Sequence, residues 1–110
     1  AQLHALVLVR AEDIRAYTGT QSFVARAPVN LVYVADLSRM QGADGDRKRF
    51  YSAADAGFIS QNVYLFCASE GLGTVVRGLV DRDMLAEKML LGTDQEIILA
   101  QTVGYPEEQE

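Results

Sequence analysis

Several residue types are scarce in this sequence, and each scarcity excludes a class of protein. Its 110 residues include one cysteine, so no internal disulfide can form, and this usage suits a reducing compartment. No apolar run approaches the roughly 20 residues of a membrane-spanning helix. Ten basic and fifteen acidic residues give a net charge of -5, which argues against a nucleic-acid surface or a polybasic membrane contact. We therefore expect a cytoplasmic protein that binds neither nucleic acids nor membranes.

Residues that usually carry acid–base or metal chemistry are few and scattered. His4 is the sole histidine, and the sequence identifies no dyad partner for it. Cys67 lies in an apolar stretch, which favours a small buried side chain over a nucleophile. Asp44-Gly45-Asp46 lacks the ligand series of a calcium loop, and Asp81-Arg82-Asp83 is better explained as a helix start. We predict no catalytic side chain and no metal site.

Periodicity and turn residues predict helices interleaved with strands. Alternating or β-branched runs predict strands at residues 3–9, 29–35, 74–77 and 96–103. Helical spacing predicts helices at residues 11–17, 20–25, 48–70 and 81–91. The expected caps are Gly19 and Gly71 at C-termini and Thr20 and Asp81 at N-termini. Because the elements do not form regular βαβ units, an α+β fold is favoured.

The longest predicted helix is apolar on nearly every side between residues 58 and 68. Ile59, Val63 and Phe66 recur there at helical spacing. A helix of this kind is usually buried. In a chain this small, it belongs either at the centre of the domain or at a subunit interface.

The segment GLGTVVRG, residues 71–78, follows this helix. Its glycine spacing does not match the dinucleotide-binding fingerprint, and it follows a helix instead of joining a strand to one. Two interpretations of its glycines stay open on the residues alone. Gly71 and Gly73 could form a helix cap and a turn, or they could let a ligand approach the backbone closely. Arg77, taken by itself, is typical of a surface arginine.

Three stretches resemble, in order and spacing, the C-terminal half of the nitroreductase superfamily. They are YSAADAGFISQNVYL at residues 51–65, ASEGLGTVVRG at 68–78 and IILAQTVGYP at 97–106. The strand APVNLVY at residues 27–33 fits the same pattern, so the resemblance covers about residues 11–106. The most similar branch contains the SagB-type azoline oxidases.

The resemblance implies a single nitroreductase-like domain over residues 1–110, truncated at its N-terminus relative to the family. In that fold, a mixed and mainly antiparallel sheet packs on a long buried central helix. It implies a homodimer that binds FMN at its interface and passes electrons from NADH or NADPH to a small organic acceptor, or carries out an azoline-type oxidation. Backbone amides near Arg77 and Gly78 would face the N5 and O4 edge of the flavin. The implied cofactor-binding residues are Gly71, Leu72, Gly73, Val76, Arg77 and Gly78.

The sequence departs from the family pattern at both ends. It does not contain the arginine- and serine-rich segment that binds the flavin phosphate in family members. The segment EEQE at residues 107–110, with three glutamates, stands where many members have a basic residue. Losing two charge-assisted hydrogen bonds of roughly 1.5–3 kcal/mol each would weaken binding more than about a hundredfold. A flavin-free, non-catalytic dimerisation or binding domain with the same fold is therefore the alternative function.

Overall fold

A computed structural model of the chain describes residues 6–42 and 44–106, which form an α+β fold. The strands are β1 (Val29–Asp36), β2 (Gly73–Arg77) and β3 (Gln95–Gly104). The α-helices are α1 (Gly45–Glu70) and α2 (Arg82–Lys88). Short 3-10 turns occupy Arg15–Thr18, Ser22–Ala25 and Leu37–Arg39. The predicted fold class and the last three predicted strands are confirmed.

The three strands form an antiparallel sheet with β3 in the centre, in the order β1-β3-β2. Val29 lies opposite Val103 at one edge, and Gly73 lies opposite Gly104 at the other. β1 and β2 run in the same direction, but β3 separates them. The described strands therefore contain no parallel pair of the kind that a mixed sheet would have.

The sheet is packed on both faces and so forms the middle layer of the molecule. Neighbouring residues of β3 point to opposite faces. Gln101 points towards α1, where its Nε2 donates to the carbonyl oxygen of Ser60 at 3.3 Å. The Tyr33 hydroxyl donates to the side-chain oxygen of Gln101 on the same face. Thr102 points to the other face, where its Oγ1 accepts a hydrogen bond from Arg77 Nε. α2 and the Arg15–Thr18 turn contact each other on that second side.

A line of small side chains joins α1 to the sheet. Its buried residues are Ser52, Ala56, Ser60 and Cys67, which share one side of the helix. The opposite side is exposed within one chain, so the expected burial of this helix on every side is not found there. Three strands cover only one side of so long a helix. We call the exposed apolar residues the outer face of α1: Phe50, Tyr51, Phe58, Ile59, Leu65 and Phe66, with exposed fractions from 51% to 71%.

Both ends of α1 are capped. The Asp44 side chain accepts a hydrogen bond from the N–H of Arg47 at 2.8 Å, so the helix begins three residues before the predicted start. At the other end Gly71 takes the left-handed φ of 71°, and its N–H and that of Leu72 both donate to the Cys67 carbonyl oxygen. The prediction that Gly71 ends this helix is confirmed.

We expect Asp44→Ala to lower the free energy of unfolding by about 1 kcal/mol, because the replacement removes the side-chain acceptor of the N-cap. Asp44→Asn is the matched control, since asparagine keeps an oxygen acceptor and caps about as well. Chemical denaturation of the three proteins measures the difference. Equal destabilisation by both variants would show that the cap hydrogen bond is not what matters.

The first part of the chain departs most from its predicted structure. Residues 6–9 belong to no strand and their side chains are exposed, since no neighbouring strand pairs with them among the described residues. The rest of that predicted strand, and His4, lie outside the described residues. Gly19 is extended, with φ of 177°, and the Ser22–Ala25 turn follows Gln21 without a side-chain cap from Thr20. The predicted helices at residues 11–17 and 20–25 are short 3-10 turns instead. Unlike α2, which is also short, neither has a side-chain cap hydrogen bond at its start.

The later elements lie close to their predicted bounds. Asp81 caps α2 by accepting from the N–H of Met84 at 3.2 Å, as predicted. The helix ends before Gly92 because Leu90 already has a φ of 60°. Among the helices that the structure describes, none combines the length and the apolar character needed to cross a bilayer.

Candidate functional site

The predicted cofactor-binding segment forms an edge strand and the turn that leads to it. The Tyr64 hydroxyl of α1 accepts a hydrogen bond from the N–H of Val76 at 2.8 Å, so this N–H points away from β3. In an antiparallel ladder the direction of the N–H groups alternates along the strand. The N–H of Arg77 therefore points to its partner Ala100. Gly78 directly follows the last residue of β2, and if the alternation continues by one residue its N–H points to the open edge.

Gly78 presents the free amide of this edge. Its carbonyl oxygen accepts from the N–H of Val80 at 3.0 Å and from Arg82 Nη1 at 3.1 Å, which fixes the orientation of the backbone. No described residue accepts a hydrogen bond from its N–H. Of the two amides predicted to face a ligand, those of Arg77 and Gly78, only the second is free to donate.

The side chain of Arg77 is buried, with 4% of the residue exposed, so the interpretation of a surface arginine is wrong. Strand alternation turns it into the layer between the sheet and the first 3-10 turn. Its Nε donates to Thr102 Oγ1 at 2.8 Å, Nη1 to the Thr18 carbonyl oxygen at 2.6 Å, and Nη2 to Asn30 Oδ1 at 3.2 Å. The sequence gives no signal for this burial, because Val75, on the same face of β2, is 42% exposed.

The guanidinium of Arg77 is surrounded by neutral acceptors. None of the ion pairs among the described residues includes it. Burial lowers the pKa of Arg77, whereas a hydrogen-bonded carboxylate, Glu96, raises the pKa of the exposed Arg49. Arginine nevertheless stays protonated in proteins, so a positive charge remains inside the fold.

The side chains of Asn30 and Thr102 link the Ser22–Ala25 turn to the sheet beside this charge. Asn30 donates from Nδ2 to the carbonyl oxygen of Val24 at 2.8 Å and accepts from Thr102 Oγ1 at 2.7 Å. A Cβ atom added to Gly19 would overlap Arg77 Nη1 and lie 3.1 Å from the side chain of Val24. The absent side chain of Gly19 therefore makes room for the guanidinium.

An open cavity of about 570 Å³ lies near the first residues of β2 and is separate from Gly78. Phe23, Arg26 and Tyr105 are among the residues that line it. Gly73 lines this cavity, whereas Val76, Arg77 and Gly78 do not. The predicted site residues are thus spread along the strand, with the glycine turn at one end and the free amide at the other.

Among the residues that the structure describes, the remaining chemistry-bearing side chains form no metal site. Cys67 is buried in the packing of α1 against the sheet, as predicted. Within residues 6–42 and 44–106, no three potential ligands cluster in a way that would hold a metal ion. The edge of β2 is therefore the candidate site.

Comparison with known proteins decides the family. The sequence profile described as the nitroreductase family matches residues 2–105. The chain belongs to the nitroreductase family. A protein from Ralstonia eutropha JMP134, provisionally named a nitroreductase, is 49% identical, and its crystal structure matches with a TM-score of 0.84 over 93% of this chain and 49% of that one. A provisionally named nitroreductase of Methanocaldococcus jannaschii is 43% identical over 58 residues, covering 53% of this chain and 29% of the relative.

A third relative is named as an oxidase instead of a nitroreductase. The structure of a protein from Clostridium acetobutylicum, provisionally named an NADH oxidase, is 27% identical and matches with a TM-score of 0.60 over 79% of this chain and 51% of that one. This nitroreductase-family chain spans about half, or less, of the length of these three relatives. None of the three names points to the azoline-oxidase branch, which stays a prediction.

Proposed function

We propose that this chain is the FMN-binding part of an oxidoreductase that passes electrons from a nicotinamide donor to a small organic acceptor. The observation that carries the proposal is the free N–H of Gly78, fixed at the open edge of β2 in a nitroreductase-family chain. FMN would supply the electron-transfer chemistry. The chain would supply the position of the ring and the electrostatics around it.

In the proposal, the edge of β2 holds the flavin ring along the side that carries its hydrogen-bond acceptors. Gly71 and Gly73 form the turn that brings β2 back from α1, and the N–H of Leu72 is held by Cys67. In the proposal, Val76, Arg77 and Gly78 lie beside the ring. The amide of Gly78 would donate to its N5 and O4 edge, where a fixed donor stabilises negative charge that develops on reduction.

The electron donor and acceptor are also proposals. The name of the Clostridium acetobutylicum relative supports a nicotinamide donor, NADH or NADPH. The acceptor would be a small organic molecule such as a nitroaromatic or a quinone. An azoline-type oxidation would use the same edge, with electrons passing from the substrate to the flavin. The proposed location of the protein is the cytoplasm.

We further propose a homodimer whose contact surface is the outer face of α1. Its six large apolar residues are exposed in the single chain. Patches of this kind mark interaction surfaces, and two-fold symmetry would bring the same face of a second copy against it. The same observation favours the second candidate, a flavin-free dimerisation domain, because the face needs a cover whether or not FMN binds.

Replacing Gly78 tests the contact of its amide with FMN. Gly78→Pro removes the N–H, whereas Gly78→Ala keeps it and adds a Cβ that would lie 4.0 Å from the Leu99 side chain. A hydrogen bond to a charged group contributes about 1.5–3 kcal/mol, so we expect the proline variant to bind reduced FMN roughly tenfold to a hundredfold more weakly. The alanine variant should bind as the wild type does, in anaerobic calorimetric titrations with reduced FMN.

The two candidate functions give different results in this titration. Wild-type protein that binds FMN and loses affinity only in the proline variant supports the oxidoreductase. Equal affinities of the proline and alanine variants would contradict the role of the Gly78 amide. A wild-type dimer that does not bind FMN would favour the flavin-free domain.

A further inference from the structure

The Arg77 side chain carries a positive charge that folding alone does not favour. Its three acceptors, on Thr18, Asn30 and Thr102, are all neutral. A buried ion without an opposite charge costs free energy, and a methionine would fill a similar space without that cost. Features that oppose stability in this way are concentrated at functional sites.

The position of this charge connects it to the candidate site. Arg77 directly precedes Gly78, whose N–H faces the open edge of β2. The guanidinium lies on the sheet face that Thr18 and Gly19 cover, where only 4% of the residue is exposed. Water screens a charge weakly in such a place, so its field extends through the strand to the edge.

We propose that the buried charge of Arg77 raises the reduction potential of a flavin held at the Gly78 edge. This inference rests on the proposed function. When NAD(P)H gives a hydride to the flavin and leaves as NAD(P)⁺, the ring system gains one negative charge. A nearby unneutralised cation favours that reduced form over the oxidised one. The Arg77 guanidinium acts through its field, without touching the cofactor, whereas the backbone of the same residue lies beside the ring.

The sharpest test neutralises the charge without removing the arginine. Asn30→Asp places a carboxylate oxygen where Asn30 Oδ1 now accepts from Arg77 Nη2 and from Thr102 Oγ1. Asn30→Ala is the control, because it removes all the side-chain hydrogen bonds of Asn30, including the one to Val24 that both variants lose, and adds no charge. Arg77→Met removes the cation itself and provides an independent second variant.

The readout is the midpoint potential of bound FMN, measured by dye-equilibrated titration. We expect Asn30→Asp and Arg77→Met each to weaken the binding of reduced relative to oxidised FMN by tenfold or more. A tenfold change corresponds to a potential lower by about 30 mV for a two-electron couple. Asn30→Ala should keep the wild-type potential. Circular dichroism and the melting temperature of each protein without FMN report whether it is folded.

Three results would overturn the inference, and they are distinguishable. If Asn30→Asp binds FMN at the wild-type potential, the charge of Arg77 does not act on the flavin. If Asn30→Ala shifts the potential as far as Asn30→Asp does, the effect comes from altered packing. If wild-type protein retains no FMN, the proposed function itself fails, and the role of Arg77 fails with it.

Discussion

Phe58→Glu should leave the protein folded but convert a dimer into a monomer. Phe58 is 71% exposed in the single chain and lies on the side of α1 opposite the buried Ser52, Ala56 and Ser60. In a dimer formed through the outer face of α1, the new carboxylate would be buried against apolar residues. The loss of a central aromatic contact typically costs 2 kcal/mol or more, which weakens association more than about thirtyfold.

Light scattering coupled to gel filtration measures this change. Phe58→Leu is the matched control, since leucine keeps the face apolar and should keep the dimer. Circular dichroism of the glutamate variant should match that of the wild type, because Phe58 makes little contact within its own chain. A wild-type monomer, or a glutamate variant that remains a dimer, would contradict the assignment of the interface.

Leu85→Ala should cause the largest loss of stability among simple core replacements. Leu85 is fully buried and is one of the largest side chains with no exposed area. Truncation of such a leucine leaves a cavity and costs about 2–5 kcal/mol. Since a small domain gains only about 5–15 kcal/mol on folding, the melting temperature should fall by roughly 10 °C or more.

The neighbouring Met84 provides the control for this replacement. Met84 is 46% exposed on the same helix, so Met84→Ala removes a side chain of similar size from the surface. Its effect should stay within about 1 kcal/mol. Thermal unfolding at one fixed protein concentration compares the two variants, because the stability of a dimer depends on concentration. Similar losses in both variants would contradict the description of α2 as packed through Leu85.

The fold was most predictable where a short stretch of the sequence determines the local structure. The β-branched run that became β1 and the glycine that ends α1 are local signals, and both predictions were confirmed. Residues 6–25 were not predictable in this way. Their conformation depends on distant partners, such as the Arg77 side chain that bonds Thr18 from 59 residues away.

The candidate site was only partly predictable for a related reason. The glycine turn was visible in the sequence, but the choice between the two amides required the strand register and the Tyr64–Val76 hydrogen bond. The burial of Arg77 likewise depends on which face of β2 is covered. A single arginine beside a glycine carries no such information, whereas the three-dimensional arrangement shows three neutral partners.

The retention of FMN by the 110-residue chain tests the central proposal most directly. Purified protein is mixed with FMN, passed through a gel-filtration column and scanned for flavin absorbance. The oxidoreductase proposal predicts that the flavin band elutes with the dimer. A folded dimer that elutes without flavin, at FMN concentrations far above those of the cell, would contradict it and would leave the flavin-free dimerisation domain as the function of this chain.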